Sequence, residues 1–340
     1  MSVVRLALLS LLLSILPSAA AQQQQFANLG DFKLVSGETI RDCRIGYRTF
    51  GALNAAKSNA ILFPTWFGGT SEQLAPNIGP GKLIDSTKYF VIAVDAIGNG
   101  VSTSPSNSTA QPRMKFPQFA IRDMVVSEYR LLTEFLHIPH LKAVMGISMG
   151  GMQTFQWIVS YPDFMDTAIP IVGSPRLAAY DLMLWRAENE AIMNNAAWKG
   201  GDYTENPGRT ELWEFGALVA TTPQYYNKKT SREDVQPLLD KAAASPAFDA
   251  NNHILMSRAM MSLNVSDAFE GSMDKAAAAV RAKVLVVVSR QDHTVTAEPA
   301  LDFAKKMHAE VLDLNADCGH QLMECEGDQV IRAVNMFLDK

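Results

Sequence analysis

Ser148, Asp292 and His320 have the residue types, and occur in the chain order, that covalent catalysis by an activated serine requires. Ser148 lies in Gly146-Ile147-Ser148-Met149-Gly150. An apolar strand candidate, residues 141–145, precedes it. A helix candidate, residues 149–160, follows and stops at Tyr161-Pro162. A serine at the tip of a strand-to-helix turn has its hydroxyl pushed out at the sheet edge. Glycines two positions either side let backbone segments approach without a Cβ clash. The helix that follows points its first amides at the place where negative charge develops. An ordinary turn serine is the competing reading, and both flanks argue against it.

The acid and the histidine follow the same logic. Val284-Leu285-Val286-Val287-Val288 is an uncharged β-branched run, the mark of a buried parallel strand. It runs out into Ser289-Arg290-Gln291-Asp292, a carboxylate just past a strand end, where open α/β sheets place site residues. A second short strand at 311–314 leads into Asn315-Ala316-Asp317-Cys318-Gly319-His320. His137, His140 and His253 precede Asp292, and His308 lies in a helix-like stretch with two lysines. His293, next to the acid, is the competitor for the base.

These residues need a scaffold that delivers strand ends to one place. Residues 32–48 alternate and read as an antiparallel hairpin turning near Ser36-Gly37-Glu38. Strands are predicted at 59–63, 89–94, 141–145, 167–172, 284–288 and 311–314, with helices at 119–136, 149–160 and 328–338. Strand and helix alternate, which predicts a doubly wound, mainly parallel α/β sheet. Residues 175–273 show no buried strand and have helical periodicity at 177–195, 210–219, 231–244 and 251–261. They are expected to form a helical cap inserted between two sheet strands, within one domain of residues 22–340. An oxyanion site needs two backbone donors. One is the amide of Met149. The other belongs to the loop after the 59–63 strand, with Trp66 the first candidate and Phe67 its alternative.

The chain has 340 residues, 48% hydrophobic and 19% charged, which suits one large core. A net charge of −5 with scattered basic residues excludes an electrostatic nucleic-acid binder. No glycine loop has the spacing of a nucleotide cradle, and no Cys or His cluster suggests a metal, so no cofactor is expected. Residues 1–21 read as a secretory signal: Arg5, an apolar run at 6–16, then Pro17 and small residues to Ala21. An uncleaved anchor is the alternative. Export to the periplasm or the medium follows from the signal, with no membrane span after cleavage. Of Cys43, Cys318 and Cys325, the last two flank His320. A bridge between them would hold its loop, and three free, partly buried thiols are the alternative.

The stretch Gly146-Ile147-Ser148-Met149-Gly150-Gly151-Met152-Gln153 resembles the homoserine O-acetyltransferase family of the α/β-hydrolase superfamily. Trp198-Lys199-Gly200-Gly201-Asp202-Tyr203, Ala187-Glu188-Asn189-Glu190, Ser289-Arg290-Gln291-Asp292 and Gly319-His320 extend the likeness over residues 30–338. The resemblance implies an α/β-hydrolase fold, Ser148 as nucleophile, His320 as base, Asp292 as its orienter, and a homodimer through the cap. Three departures concern the substrate. Gln321 stands where the family has an aspartate for the amino group of homoserine. Residues 216–221 lack the arginine that meets its carboxylate. Pro64-Thr65-Trp66-Phe67-Gly68 replaces the family's His-Ala-Leu-Thr-Gly loop. A pocket of Trp66, Phe67 and Met149 is expected to favour an apolar small-molecule ester. An exported transferase would also be separated from cytoplasmic acetyl-CoA. The expectation is an exported serine esterase. The alternative is an O-acyltransferase using an alcohol acceptor other than homoserine.

Overall fold

The structure is a computed structural model that describes residues 23–244 and 249–340. The secretory segment expected at 1–21 lies outside the described residues. In chain order the elements are β1 (Gln25–Lys33), β2 (Thr39–Phe50), β3 (Ala60–Pro64), α1 (Ser71–Leu74), β4 (Phe90–Val94), α2 (Ile121–Arg130), β5 (Leu141–Ile147), α3 (Met149–Ser160) and β6 (Met165–Ile171). There follow α4 (Ala179–Met193), α5 (Arg209–Val219), α6 (Pro223–Lys229), α7 (Val235–Ala243), α8 (Ala250–Met261) and α9 (Met273–Ala279). The chain then returns to β7 (Lys283–Ser289), α10 (Glu298–Met307), β8 (Glu310–Leu314), α11 (Leu322–Cys325) and α12 (Gly327–Leu338).

The eight strands form one sheet in the order β1-β2-β4-β3-β5-β6-β7-β8. β1 and β2 pair antiparallel, β2 joins β4 antiparallel, and every later pairing is parallel. The hairpin turns where expected, with the Leu34 amide donating to the Glu38 carbonyl at 2.8 Å. The central strands read as continuous apolar runs because both faces are covered. Successive side chains serve opposite cores: Leu62, Val144 and Val286 pack on one face, and Ile61, Phe63, Ala143, Met145, Leu285 and Val287 on the other. Helix α3 lies on the first face and buries Phe155 and Trp157 completely. Helix α12 closes the second face through Val330, Val334 and Phe337.

Among the described residues between β6 and β7, the regular elements are helices, with one isolated bridge, Arg176 with Asn264. α8 buries Ile254, Leu255, Met256 and Met260 and is anchored to the β4–α2 connection, where the Asn252 carboxamide bonds the Ser106 amide and hydroxyl. Helix α6 was not expected from periodicity. Its seven residues, Pro223-Gln-Tyr-Tyr-Asn-Lys-Lys, carry no buried side chain, so no apolar stripe marks them. Its start is set instead by Thr222, whose hydroxyl caps the Tyr225 amide, and by proline in the first turn. The helix expected at 119–136 begins at Ile121 as α2 and its last turn, Leu131–Phe135, widens to a π-helix.

Candidate active site

Ser148 occupies the turn between β5 and α3 with φ 57° and ψ −120°, a conformation that side chains other than glycine rarely adopt. Its amide donates to the Ile171 carbonyl at 2.8 Å, and its carbonyl accepts from the Met152 amide at 3.0 Å, so both sides of the turn are held. The glycines have separate reasons. A Cβ on Gly146 would lie 2.1 Å from the Gly150 carbonyl oxygen, and one on Gly150 would lie 2.6 Å from that of Pro64. Strand, turn and the loop after β3 are therefore in backbone contact, which glycine alone permits.

His320 Nε2 lies 2.8 Å from Ser148 Oγ, and His320 Nδ1 lies 2.6 Å from Asp292 Oδ2. The other oxygen of Asp292, Oδ1, accepts the amides of Thr294 at 2.8 Å and Val295 at 2.9 Å. Asp292 is 4% exposed, so this carboxylate is fixed by its own loop with little access for water. His293, the competitor for the base, packs edge-on to Tyr180 instead. His320 is positioned by groups that sequence reasoning missed. Its amide donates to the Ala220 carbonyl at 2.8 Å, and the Thr222 amide donates to the Asp317 carbonyl at 2.9 Å. The α5–α6 junction of the cap therefore grips the histidine loop. Cys318 and Cys325 form a disulfide that closes the turn around it, and Cys43 is a buried free thiol pushed up to about 12 by desolvation.

The loop after β3 is held as firmly. Thr65 donates its amide to Val94, accepts the Ala96 amide on its hydroxyl at 3.1 Å, and accepts the Gln153 carboxamide on its carbonyl at 3.1 Å. Asn99 donates to the Gly69 carbonyl at 2.9 Å. The amides of Trp66 and Met149 donate to no described residue. The Trp66 carbonyl accepts the Gly69 amide at 3.0 Å, closing a tight turn. Phe67 lays its ring 4.9 Å from Trp185 and 4.8 Å from His253.

Ser148 and His320 open onto a cavity of about 570 Å³ between the sheet edge and the cap. Trp66, Phe67 and Gln321 line it. Met149 does not: its side chain is fully buried in the core, because the first turn of α3 faces the sheet. The cavity is also less apolar than expected. Glu188 and Trp185 of α4, Arg209 at the start of α5 and His253 of α8 line it. Residues 216–221 carry no arginine, yet α5 brings Arg209 to the cavity, its Nη1 donating to the Ala243 carbonyl at 2.7 Å. Glu188 Oε2 lies 3.1 Å from His253 Nε2, and both side chains are over nine-tenths buried. Glu188 is one of four charged residues of α4, with Asp181, Arg186 and Glu190, so the sequence did not single it out, and His253 was set aside for its place before Asp292.

A family model described as the alpha/beta hydrolase fold matches residues 60–324. The ethyl acetate hydrolase of Pseudomonas veronii is 33% identical over 315 residues, covering 87% of this chain and 88% of its own. A homoserine O-acetyltransferase of Pelobacter propionicus is 29% identical over 364 residues, covering 95% and 98%. An acetylester hydrolase structure from Corynebacterium glutamicum superposes with a TM-score of 0.88 at 28% identity, covering 94% of this chain and 96% of that one. The acyltransferase-like family resemblance and the sheet order agree with these likenesses. The chain belongs to the α/β hydrolase fold family and is an enzyme of the ester hydrolase or acyltransferase kind.

Proposed function

We propose that this protein is an exported serine hydrolase that cleaves a carboxylic ester through an acyl-serine intermediate. The observation that carries the reading is the continuous relay from Ser148 Oγ through His320 to Asp292, opening onto the cavity. His320 Nε2 takes the Ser148 proton as Oγ bonds to the ester carbonyl carbon. The carbonyl oxygen becomes an oxyanion at the amides of Met149 and Trp66, each free of other acceptors among the described residues. The alkoxide leaves with the proton from the imidazolium. Water then repeats the sequence and releases the acid. Asp292 holds the Nδ1–H tautomer and stabilises the imidazolium without taking its proton.

Transfer to homoserine is disfavoured for a chemical reason. Gln321 at the cavity lacks the charge that would meet an amino group. The names borne by the relatives divide between hydrolases and transferases. Export rests on the apolar segment at 6–16 and is supported by the Cys318–Cys325 disulfide, a bond that persists in oxidising compartments. The deciding experiment is turnover of 4-nitrophenyl acetate and butyrate with and without homoserine or another alcohol. Ser148-dependent release of free acid, insensitive to the acceptor, supports the hydrolase. Accumulation of acylated acceptor returns the protein to the transferases. N-terminal sequencing of protein recovered outside the cytoplasm tests export, with cleavage expected after Ala20 or Ala21.

A further inference from the structure

The Glu188–His253 pair plays no part in the chemistry above. It sits in the cap wall of the same cavity as Ser148, and its burial is costly. Taking a carboxylate out of water is unfavourable unless partners replace its hydration. His253 supplies one partner, 3.1 Å from Oε2. The surroundings are otherwise aromatic: Phe67 lies edge-on to the His253 ring at 4.8 Å, and Trp185 packs 4.9 Å from Phe67. We propose that Glu188, clasped by His253, is a specificity-determining residue that accepts a hydrogen bond from a hydroxyl group of the substrate, so that the preferred substrate is an ester carrying a free hydroxyl in addition to the scissile bond. The inference rests on the ester-hydrolase reading of this site.

The chemistry selects the ligand. The oxygens of a carboxylate accept hydrogen bonds, so their complement is a donor. Two donors fit in principle, a hydroxyl and an ammonium. The Arg209 guanidinium lines the same cavity, and His253 faces Glu188. A cationic substrate would meet that guanidinium, and a neutral hydroxyl would not. A site built around a substrate hydroxyl rejects the analogue that lacks it, because the buried polar group is left without its partner.

The test compares esters of matched shape. On the alcohol side, 2-hydroxyethyl acetate is set against propyl acetate. On the acyl side, ethyl 3-hydroxybutanoate is set against ethyl 3-methylbutanoate and ethyl 3-aminobutanoate. The wild type is expected to favour the hydroxylated member of at least one set by roughly 10- to 100-fold in kcat/KM. Glu188→Gln and Glu188→Met should lower that ratio by about 10-fold. A wild-type ratio near one in both sets, a preference for the amino ester, or an equal loss on both members in the variants would overturn the proposal. The last result would make the pair a tie between α4 and α8. The same pairs are titrated into Ser148→Ala protein by tryptophan fluorescence, since Trp66, Trp185 and Trp213 line the cavity. Selective binding there without any turnover by the wild type would sink the hydrolase reading and leave standing only Glu188 as the acceptor of a ligand hydroxyl.

Discussion

Ser148 combines a backbone strained at φ 57° with a hydroxyl 2.8 Å from His320 Nε2, and the strain is what aims the hydroxyl away from the sheet. Removing the hydroxyl should remove nearly all chemistry. Ser148→Ala is expected to lower kcat for 4-nitrophenyl acetate by roughly 10⁵-fold. Asp292→Asn keeps the shape but favours the wrong tautomer of His320, and should lower kcat by about 10⁴-fold. Steady-state kinetics on both variants checks this, with circular dichroism to confirm folding. A fall of less than tenfold in either would remove that residue from the relay. Gly150 gives a subtler test. Its added Cβ would press on the Pro64 carbonyl from 2.6 Å and shift the loop that carries Trp66. Gly150→Ala should lower kcat by on the order of 100-fold, the scale of one lost oxyanion donor. Unchanged kcat would mean that the loop amide is not used.

At the scale of elements, the histidine loop is the segment that depends most on distant parts of the chain. β8 delivers it to the sheet edge, the Ala220 carbonyl receives the His320 amide, and the disulfide spans seven positions around it. Gly319 adopts φ 54°, and a Cβ there would lie 2.7 Å from the Gln291 carbonyl and 2.9 Å from that of Ala220. Opening the bridge frees a short loop in the unfolded chain, which is worth about 2–3 kcal/mol. Cys325→Ala is therefore expected to lower the urea midpoint accordingly and to lower kcat as His320 loses its fixed position. A drop in stability with kcat untouched would show that the Ala220 contact alone holds the histidine.

For the whole molecule, the informative group lies far from the cavity. Glu128 of α2 is 1% exposed, and its carboxyl accepts the Trp157 indole N–H at 2.6 Å. Burial raises its pKa to about 8, against 4.5 for an exposed glutamate. The folded state therefore binds more protons than the unfolded state between those values. The neutral carboxyl's contribution is complete below pH 4.5 and is lost as pH rises through 8. Glu128→Gln keeps an acceptor for Trp157 and removes the titration. The variant should gain stability relative to the wild type as pH rises from 5 to 9, by on the order of 3 kcal/mol at the top. Thermal unfolding across that range is the check, and parallel curves would mean that Glu128 is ionised when folded.

Much of this protein was legible in one dimension, for local reasons. Uncharged β-branched runs such as 284–288 can be satisfied only inside a sheet, and a serine between close glycines, after a strand and before a helix, constrains its own turn. Ser148, Asp292 and His320 each follow a strand, so strand order alone brings them near one another. The cavity wall was not legible in this way. Glu188 and His253 are 65 residues apart on α4 and α8, and Arg209 enters from a third helix. Their meeting depends on how the cap helices cross over the sheet, which no local pattern encodes. Met149 shows the same limit in reverse: its position beside the nucleophile suggested a pocket wall, but the rotation of α3 turns that side chain into the core. The sequence determined which side chains stand at the ends of its strands; the tertiary structure decided what the cavity they face can hold, because helix packing sets which faces meet across it.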